Sequence, residues 1–150
     1  MFKKTEALVQ IFYDRNKEAY ELYVPYQEVS LGSVDFERDT ALELDSNKIL
    51  VMEIHSHGSY SACWSSTDNE EELSHRLYAV VGDLPHFRYD NAHIRVRAAT
   101  GGCFVQIEPQ KIFRYPATLE EYHPELKKVR VRQVYQNIYK ERNVYGEPKY

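Results

Sequence analysis

Along the first hundred or so positions the apolar residues fall in short runs of five to eight, the length of strands rather than helices. Ala7 to Tyr13 (ALVQIFY) is apolar and β-branched enough for a buried strand, and the polar turn Asp14-Arg-Asn-Lys-Glu separates it from a hairpin partner, Ala19 to Val24. Pro25 ends that partner. Val29 to Phe36 (VSLGSVDF) alternates like a third strand, and Ile49 to His55 (ILVMEIH) is an apolar run too short for a typical helix. Leu77 to Val81, His93 to Ala99 and Cys103 to Ile107 are expected as further strands, broken at Gly82-Asp83 and Gly101-Gly102. Between them, Ser65-Ser-Thr-Asp-Asn-Glu-Glu-Glu has the composition of a helix start, with hydroxyl caps followed by acids where the macrodipole favours them. That helix is expected to run to about Arg76.

The pattern changes from Thr118 onward. Leu119-Glu-Glu-Tyr could begin a helix that Pro124 interrupts, and the basic Lys127-Lys-Val-Arg-Val-Arg is followed by Tyr135, Tyr139 and Tyr145. The chain therefore divides into a domain over 1–115 and a C-terminal helix or tail over 116–150. That tail is expected on the domain edge, with a basic and aromatic docking segment as the alternative.

Composition adds bounds to this picture. A chain of 150 residues fits one domain with a genuine core. The formal charge of −4 gives no case for nucleic acid or an anionic membrane, both of which select basic surfaces. No apolar run approaches the ~20 residues needed to span a bilayer. Met1-Phe-Lys-Lys turns polar too soon to open a signal peptide, and two cysteines make no disulfide framework, so a cytoplasmic setting is expected. Thirteen tyrosines suit strands and half-wet surfaces, which favours a β-rich domain with an aromatic exterior.

Chemistry concentrates between Glu53 and Asp68. On a strand, His55 and His57 point the same way one pleat apart, so their imidazoles can converge on one metal ion. A catalytic zinc usually takes three protein ligands from histidine and carboxylate and keeps a fourth position for water. Asp68, where a helix begins, could return to the same spot as the third ligand, with the Ser65 hydroxyl one helical turn earlier. A His-x-His pair alone is more often an ordinary surface or core pair. The same pair followed after seven residues by Ser65, and after two more by Asp68, is far more specific. The remaining histidines, His75, His86, His93 and His123, lack convergent partners in sequence and are expected at the surface.

This spacing resembles the motif of the JAMM (MPN-plus) metallopeptidases, Glu … His-Ser/Thr-His-x7-Ser-x2-Asp, at His55, His57, Ser65 and Asp68. Within that family the chain is most similar to bacterial JAB-domain proteins of the PRTRC system protein A type. The stretches YELYVPYQEVSLGSV, HSHGSYSACWSSTDNEEE, LYAVVGDL and VQIEPQKIF carry the likeness over roughly Glu6 to Phe113. The resemblance implies an α/β (α+β) fold of the JAB/MPN and cytidine-deaminase-like kind, with a curved, mostly antiparallel mixed sheet flanked by helices. Members often carry a helix before the first strand, whereas here the strand pattern begins at Ala7, as in a shortened form. Cys63 and Trp64 stand where members tend to have apolar residues, and a packing role is expected of both.

The activity implied is zinc-dependent hydrolysis of a peptide or isopeptide bond. His55, His57 and Asp68 would hold Zn2+, Ser65 would stabilise the oxyanion, and a glutamate would move the protons. The family's glutamate precedes the first core strand, and Glu6 matches that place, with Glu53 and Glu28 as alternatives. The implied substrate is the tail of a ubiquitin-like protein or its conjugate, with an E1-like activating enzyme as a further partner. The Gly58-Ser-Tyr-Ser loop is a candidate wall for that tail. A non-catalytic MPN-type interaction module is the competing expectation, though such modules lack the two histidines and the aspartate. A purely structural zinc is disfavoured by a set of only three ligands.

Overall fold

A computed structural model describes residues 5–114 and 128–131. Among these residues nine strands form two sheets. The larger has six strands in the order β2-β1-β5-β6-β7-β8, where β1 is Ala7–Asp14, β2 Ala19–Tyr23, β5 Lys48–Ser56, β6 Arg76–Val81, β7 Ile94–Thr100 and β8 Cys103–Ile107. Its ladders are antiparallel except β5 with β6, so the chain is a mixed α/β domain with an open sheet, not a barrel, among the described residues. The smaller sheet has the order β4-β3-β9, from Val34–Phe36, Gln27–Val29 and Val129–Val131.

The register explains how one sheet serves two purposes. Ile54, Ala79, Val96 and Ile107 are successive partners across four strands, and Ile11, Met52 and Leu77 form the neighbouring row. These residues pack with Ile94, Tyr89 and Phe113 as the main apolar core on one face. Alternation sends the next residues to the opposite face. There Gln10, Glu53, Tyr78, Arg97 and Gln106 form a polar row, and Leu8, His55 and Val80 form the row beside it. β5 thus delivers core residues to one face and histidines to the other.

The small sheet is tied to the open part of β1. The β2 pairing begins at Gln10↔Tyr23, which leaves the Leu8 peptide group without a strand partner on that side. Buried Gln27 fills the gap. Its Oε1 accepts from the Leu8 N–H at 2.8 Å, and its Nε2 donates to the Leu8 carbonyl at 2.7 Å. The Glu6 N–H donates to the Ser30 carbonyl at 2.8 Å, so the segment just before β1 is held as well.

Several expected elements take a different form. Val29 to Phe36 is not one strand but the hairpin β3–β4, because Ser30-Leu-Gly-Ser turns and the Ser30 N–H bonds to the Ser33 carbonyl at 2.9 Å. Among the described residues the helices are short: α1 is Thr40–Leu44, α2 Ser66–Glu71 and α3 Pro109–Ile112, with a 3-10 turn at Leu84–His86. A strand-rich sheet with a few short helices is thus what the described residues form. α2 stops at Glu71, short of Arg76. Glu72 turns its side chain inward while exposed Leu73 and Ser74 make the turn that admits β6. The expected helix near Leu119 lies outside the described residues, whereas Val129–Val131 of the basic stretch is a strand parallel to β3.

Candidate metal centre

Every candidate ligand is placed by local structure. His55 is the penultimate residue of β5, and the His57 N–H donates to the Val81 carbonyl at 2.8 Å, holding the strand end against β6. Asp68 is placed by the start of α2. The Ser65 hydroxyl accepts from the Asp68 N–H at 3.1 Å, while Asp68 Oδ2 accepts from the Ser65 N–H at 2.6 Å, the reciprocal arrangement of a capping box. Asp68 Oδ1 is left facing His55, and Oδ2 also stands 3.9 Å from His57 Nε2.

The three ligand groups converge. His55 Nε2 lies 3.2 Å from His57 Nε2 and 3.3 Å from Asp68 Oδ1, and all three ligand atoms are within 4.8 Å of one another. A tetrahedral ion with ligand distances near 2.05 Å requires ligand atoms roughly 3.3 Å apart. The donor chemistry fits as well. His57 Nδ1 sits 3.3 Å from the Ser61 carbonyl oxygen, and His55 Nδ1 faces the Glu72 carboxylate at 3.7 Å. Protons placed on the Nδ1 atoms by those acceptors leave both Nε2 lone pairs aimed at each other and at a carboxylate. A bound cation resolves that mutual repulsion, so His55, His57 and Asp68 could hold a metal ion.

The electrostatics favour ligation at neutral pH. Burial, partly offset by the neighbouring Asp68, brings His55 down to about 4, so its imidazole is neutral there. Glu6 lies directly before the Ala7↔Ser56 pair, level with His57. Burial raises its carboxyl, the charge of His57 lowers it, and that of Asp68 raises it, so Glu6 feels both ligands. Glu53 shares the His55 face but is engaged elsewhere: Gln10 Nε2 donates to it at 2.9 Å and Arg76 stands 3.5 Å away. Glu28 is exposed on β3, on the other side of that strand from Gln27 and its bonds to β1.

Ser65 occupies the helix cap, and the bond it accepts from Asp68 leaves its own hydroxyl hydrogen for donation. A cavity of about 570 Å³ opens beside His55 and Asp68, between Glu71 and Glu72 on one side and Val34, Asp35, Phe36 and Arg38 on the other. β4 and the residues after it line this cavity, whereas the Gly58–Ser61 loop does not. That loop is instead fastened down. The Leu84 N–H donates to the Gly58 carbonyl at 2.8 Å and the Asp83 N–H to the Tyr60 carbonyl at 2.6 Å.

Two residues that pattern did not single out stand behind the ligands. Arg97 is fully buried; its Nε donates to Glu72 Oε2 at 2.8 Å and its Nη1 to Asn69 Oδ1 at 2.6 Å. Its guanidinium carbon lies 4.0 Å from the centre of the Trp64 ring and 3.9 Å from that of Phe104. Burial pushes Glu72 up to about 7 against the pull of Arg97. Trp64 packs as expected, whereas Cys63 is exposed and has no packing role. His75 and His86 are exposed, His123 lies outside the described residues, and His93 is buried, with Nδ1 2.6 Å from Asp90.

Among the described residues no helix is long and apolar enough to cross a membrane. Set against protein-family models and curated proteins, the chain matches no family model and no curated sequence.

Proposed function

We propose that the chain is a zinc metallopeptidase of the JAMM type with a JAB/MPN-like fold, hydrolysing a peptide or isopeptide bond behind the tail of a ubiquitin-like protein. The observation that carries this is the convergence of His55 Nε2, His57 Nε2 and an Asp68 oxygen within 4.8 Å, in the sequence spacing that the resemblance assigns to ligands. Zinc, when bound, supplies Lewis acidity, lowering the pKa of water to near 7 and polarising a carbonyl.

The chain's own residues supply the rest. Glu6, beside His57 and partly buried, takes the proton of the attacking water and passes it to the departing amine. Burial raises the Glu6 carboxyl, which makes it a better proton acceptor than an exposed glutamate. Ser65 donates its free hydroxyl hydrogen to the oxygen that becomes negative as the carbonyl carbon turns tetrahedral. Glu53, held by Gln10 and Arg76, orients the floor of the cavity instead of moving protons. An extended tail has a place to lie: β4 has only β3 as its strand partner among the described residues, and it walls the cavity at Val34, Asp35 and Phe36. Main-chain pairing to such an edge reads an extended substrate by its backbone.

The test is cleavage by the zinc-loaded chain of a ubiquitin-like protein fused through its C-terminus to a reporter, beside unfolded casein. Cleavage of the fusion alone, lost in Glu6→Gln, is expected. Cleavage of casein at a similar rate defeats the substrate assignment. Zinc binding with cleavage of neither, including with an E1-like activating enzyme added, favours the non-catalytic interaction module.

A further inference from the structure

We propose that Glu72 and Arg97 are positioning residues of the metal centre: Glu72 fixes the tautomer and orientation of His55, and Arg97 fixes both Glu72 and the helix that carries Asp68. The inference rests on the metal-centre reading above and extends it from three ligands to the layer behind them.

The geometry is asymmetric in a telling way. Both close contacts from Arg97 reach the same oxygen of Glu72: Nε to Oε2 at 2.8 Å and Nη2 to Oε2 at 2.6 Å. The other oxygen, Oε1, is turned to His55 Nδ1 at 3.7 Å. That is within ion-pair range and ~0.7 Å beyond a hydrogen bond of ordinary length. A carboxylate aimed at Nδ1 favours the proton on that nitrogen and leaves Nε2 as the donor to a metal. His57 has the same device in backbone form, its Nδ1 lying 3.3 Å from the Ser61 carbonyl oxygen. Each imidazole thus presents Nε2 to the common point and Nδ1 to a fixed oxygen. An acceptor behind a ligating histidine both orients the ring and raises its basicity.

Arg97 governs the second half. Its Nη1 bonds to Asn69 Oδ1 at 2.6 Å, and its Nη2 bonds to the Asp68 backbone carbonyl at 3.1 Å. α2 has no buried residue of its own to anchor it against the sheet. The Arg97 guanidinium on β7 ties the helix down, with its central carbon close to the rings of both Trp64 and Phe104. Planar, five-donor geometry is needed for three acceptors at once, which lysine cannot reproduce. Arg95, two residues earlier, is exposed. Of the two arginines of β7, Arg97 is thus the buried one.

The experiment measures zinc affinity by competition with a chromophoric chelator, and the visible spectrum of the cobalt-substituted chain, for wild type, Glu72→Gln, Glu72→Ala and Glu70→Ala. Glu70 is an exposed acid of the same helix and controls for bulk charge. Glu72→Ala is expected to weaken zinc roughly 10- to 100-fold and to change the cobalt spectrum. Glu72→Gln, which keeps an acceptor oxygen of the same shape, should recover part of that loss and should fold even where the alanine variant does not. Glu70→Ala should bind as wild type. Zinc affinity and cobalt spectrum unmoved in Glu72→Gln and Glu72→Ala overturn the inference and leave the metal centre standing. An equal loss in Glu70→Ala also overturns it, because the effect is then net charge. A wild-type chain that binds neither metal overturns the inference together with the reading beneath it.

Discussion

The paired strands β1 and β5 carry a cluster of ionisable side chains at each end, about 24 Å apart along β1, and the two clusters are built on opposite principles. At the Asp14 end the charges alternate. Lys48 bonds to both Asp14, at 2.6 Å, and Glu21, while Lys17 reaches Glu21 at 2.5 Å. Every carboxylate there has an ammonium and every ammonium a carboxylate. At the His57 end, two imidazoles and one carboxylate point their lone pairs at a single spot. The nearby cation, Arg97, is committed to Glu72, Asn69 and the Asp68 backbone, and among the described residues no lysine or arginine pairs with the Asp68 carboxylate. A self-complementary cluster has no need of anything further; a cluster of lone-pair donors alone could hold an ion from outside. That contrast, more than the mere presence of charged residues, separates a structural ion-pair network from a candidate site.

The sharpest way to break the comparison is to remove one member from each end. His57→Ala is expected to reduce zinc from about one ion per chain to none detectable by elemental analysis. Asp68→Asn should weaken binding strongly, since a neutral amide is a poorer ligand than a carboxylate. Lys48→Met, at the opposite end, should leave zinc content unchanged. Equal metal content in wild type and His57→Ala defeats the assignment of the site.

Next in size is Glu6→Gln. The amide keeps the shape but accepts no proton, so turnover is expected to fall by ~10²- to 10⁴-fold while zinc stays bound. Steady-state rates together with metal content decide this. A glutamine variant of full activity would remove Glu6 from the proton-transfer role.

How much of this was visible in the sequence depends on how local each feature is. The side-by-side placement of His55 and His57 follows from strand alternation across two residues, and the orientation of Asp68 follows from a cap three residues long. Both are short-range, and both were legible. The break of Val29 to Phe36 into a hairpin was missed because the signal, Ser-Leu-Gly-Ser, is a weak turn lying inside a plausible alternation. Arg97 and Glu72 were not legible because they are 25 residues apart and meet only when β7 is in place. In Glu70-Glu-Glu72 the last residue reads as one more solvated acid, and in HIRVRAA nothing distinguishes buried Arg97 from exposed Arg95. The bounds of 1–115 for the domain likewise followed from a change in composition. Composition does not reveal that Val129–Val131 joins the small sheet.

A smaller effect is expected from the loop that supplies the His57 acceptor. A Cβ added at Gly82 would overlap the backbone of Ser61 and Ala62 and stand 2.6 Å from the Tyr60 carbonyl oxygen. Backbone cannot swing aside as a flexible side chain can, so Gly82→Ala must push the loop away from β6. The overpacking is expected to cost about 1–3 kcal/mol of stability. The Ser61 carbonyl moves with the loop, so zinc affinity should fall as well. Thermal unfolding of the metal-free chain and a zinc titration measure the two consequences separately. A variant as stable as wild type with unchanged affinity would show that the loop is not what holds His57.

The smallest effect belongs to the self-complementary end and tests whether it is only structural. Asp14 has a side chain that is 5 % exposed and accepts from Lys48 Nζ at 2.6 Å and from the Asn16 and Lys17 N–H groups at 2.8 and 3.1 Å. The Lys48 ammonium, with those two backbone donors, outweighs burial and lowers the Asp14 carboxyl from 3.8 to about 2. A carboxyl depressed on folding binds its proton more weakly in the native chain than in the unfolded one. Its contribution to stability is therefore fully present above about pH 4 and is lost as the pH falls from there toward 2. Asp14→Asn should accordingly unfold at a lower temperature than wild type at pH 7, with the gap closing as the pH approaches 2. Zinc content at pH 7 should not change, because this end of β5 donates nothing to the ion. A melting-temperature gap of constant size from pH 7 to 2 would mean that Asp14 acts through shape and hydrogen bonding alone, not through its charge. A loss of zinc in Asp14→Asn would show instead that the two ends are coupled through β5.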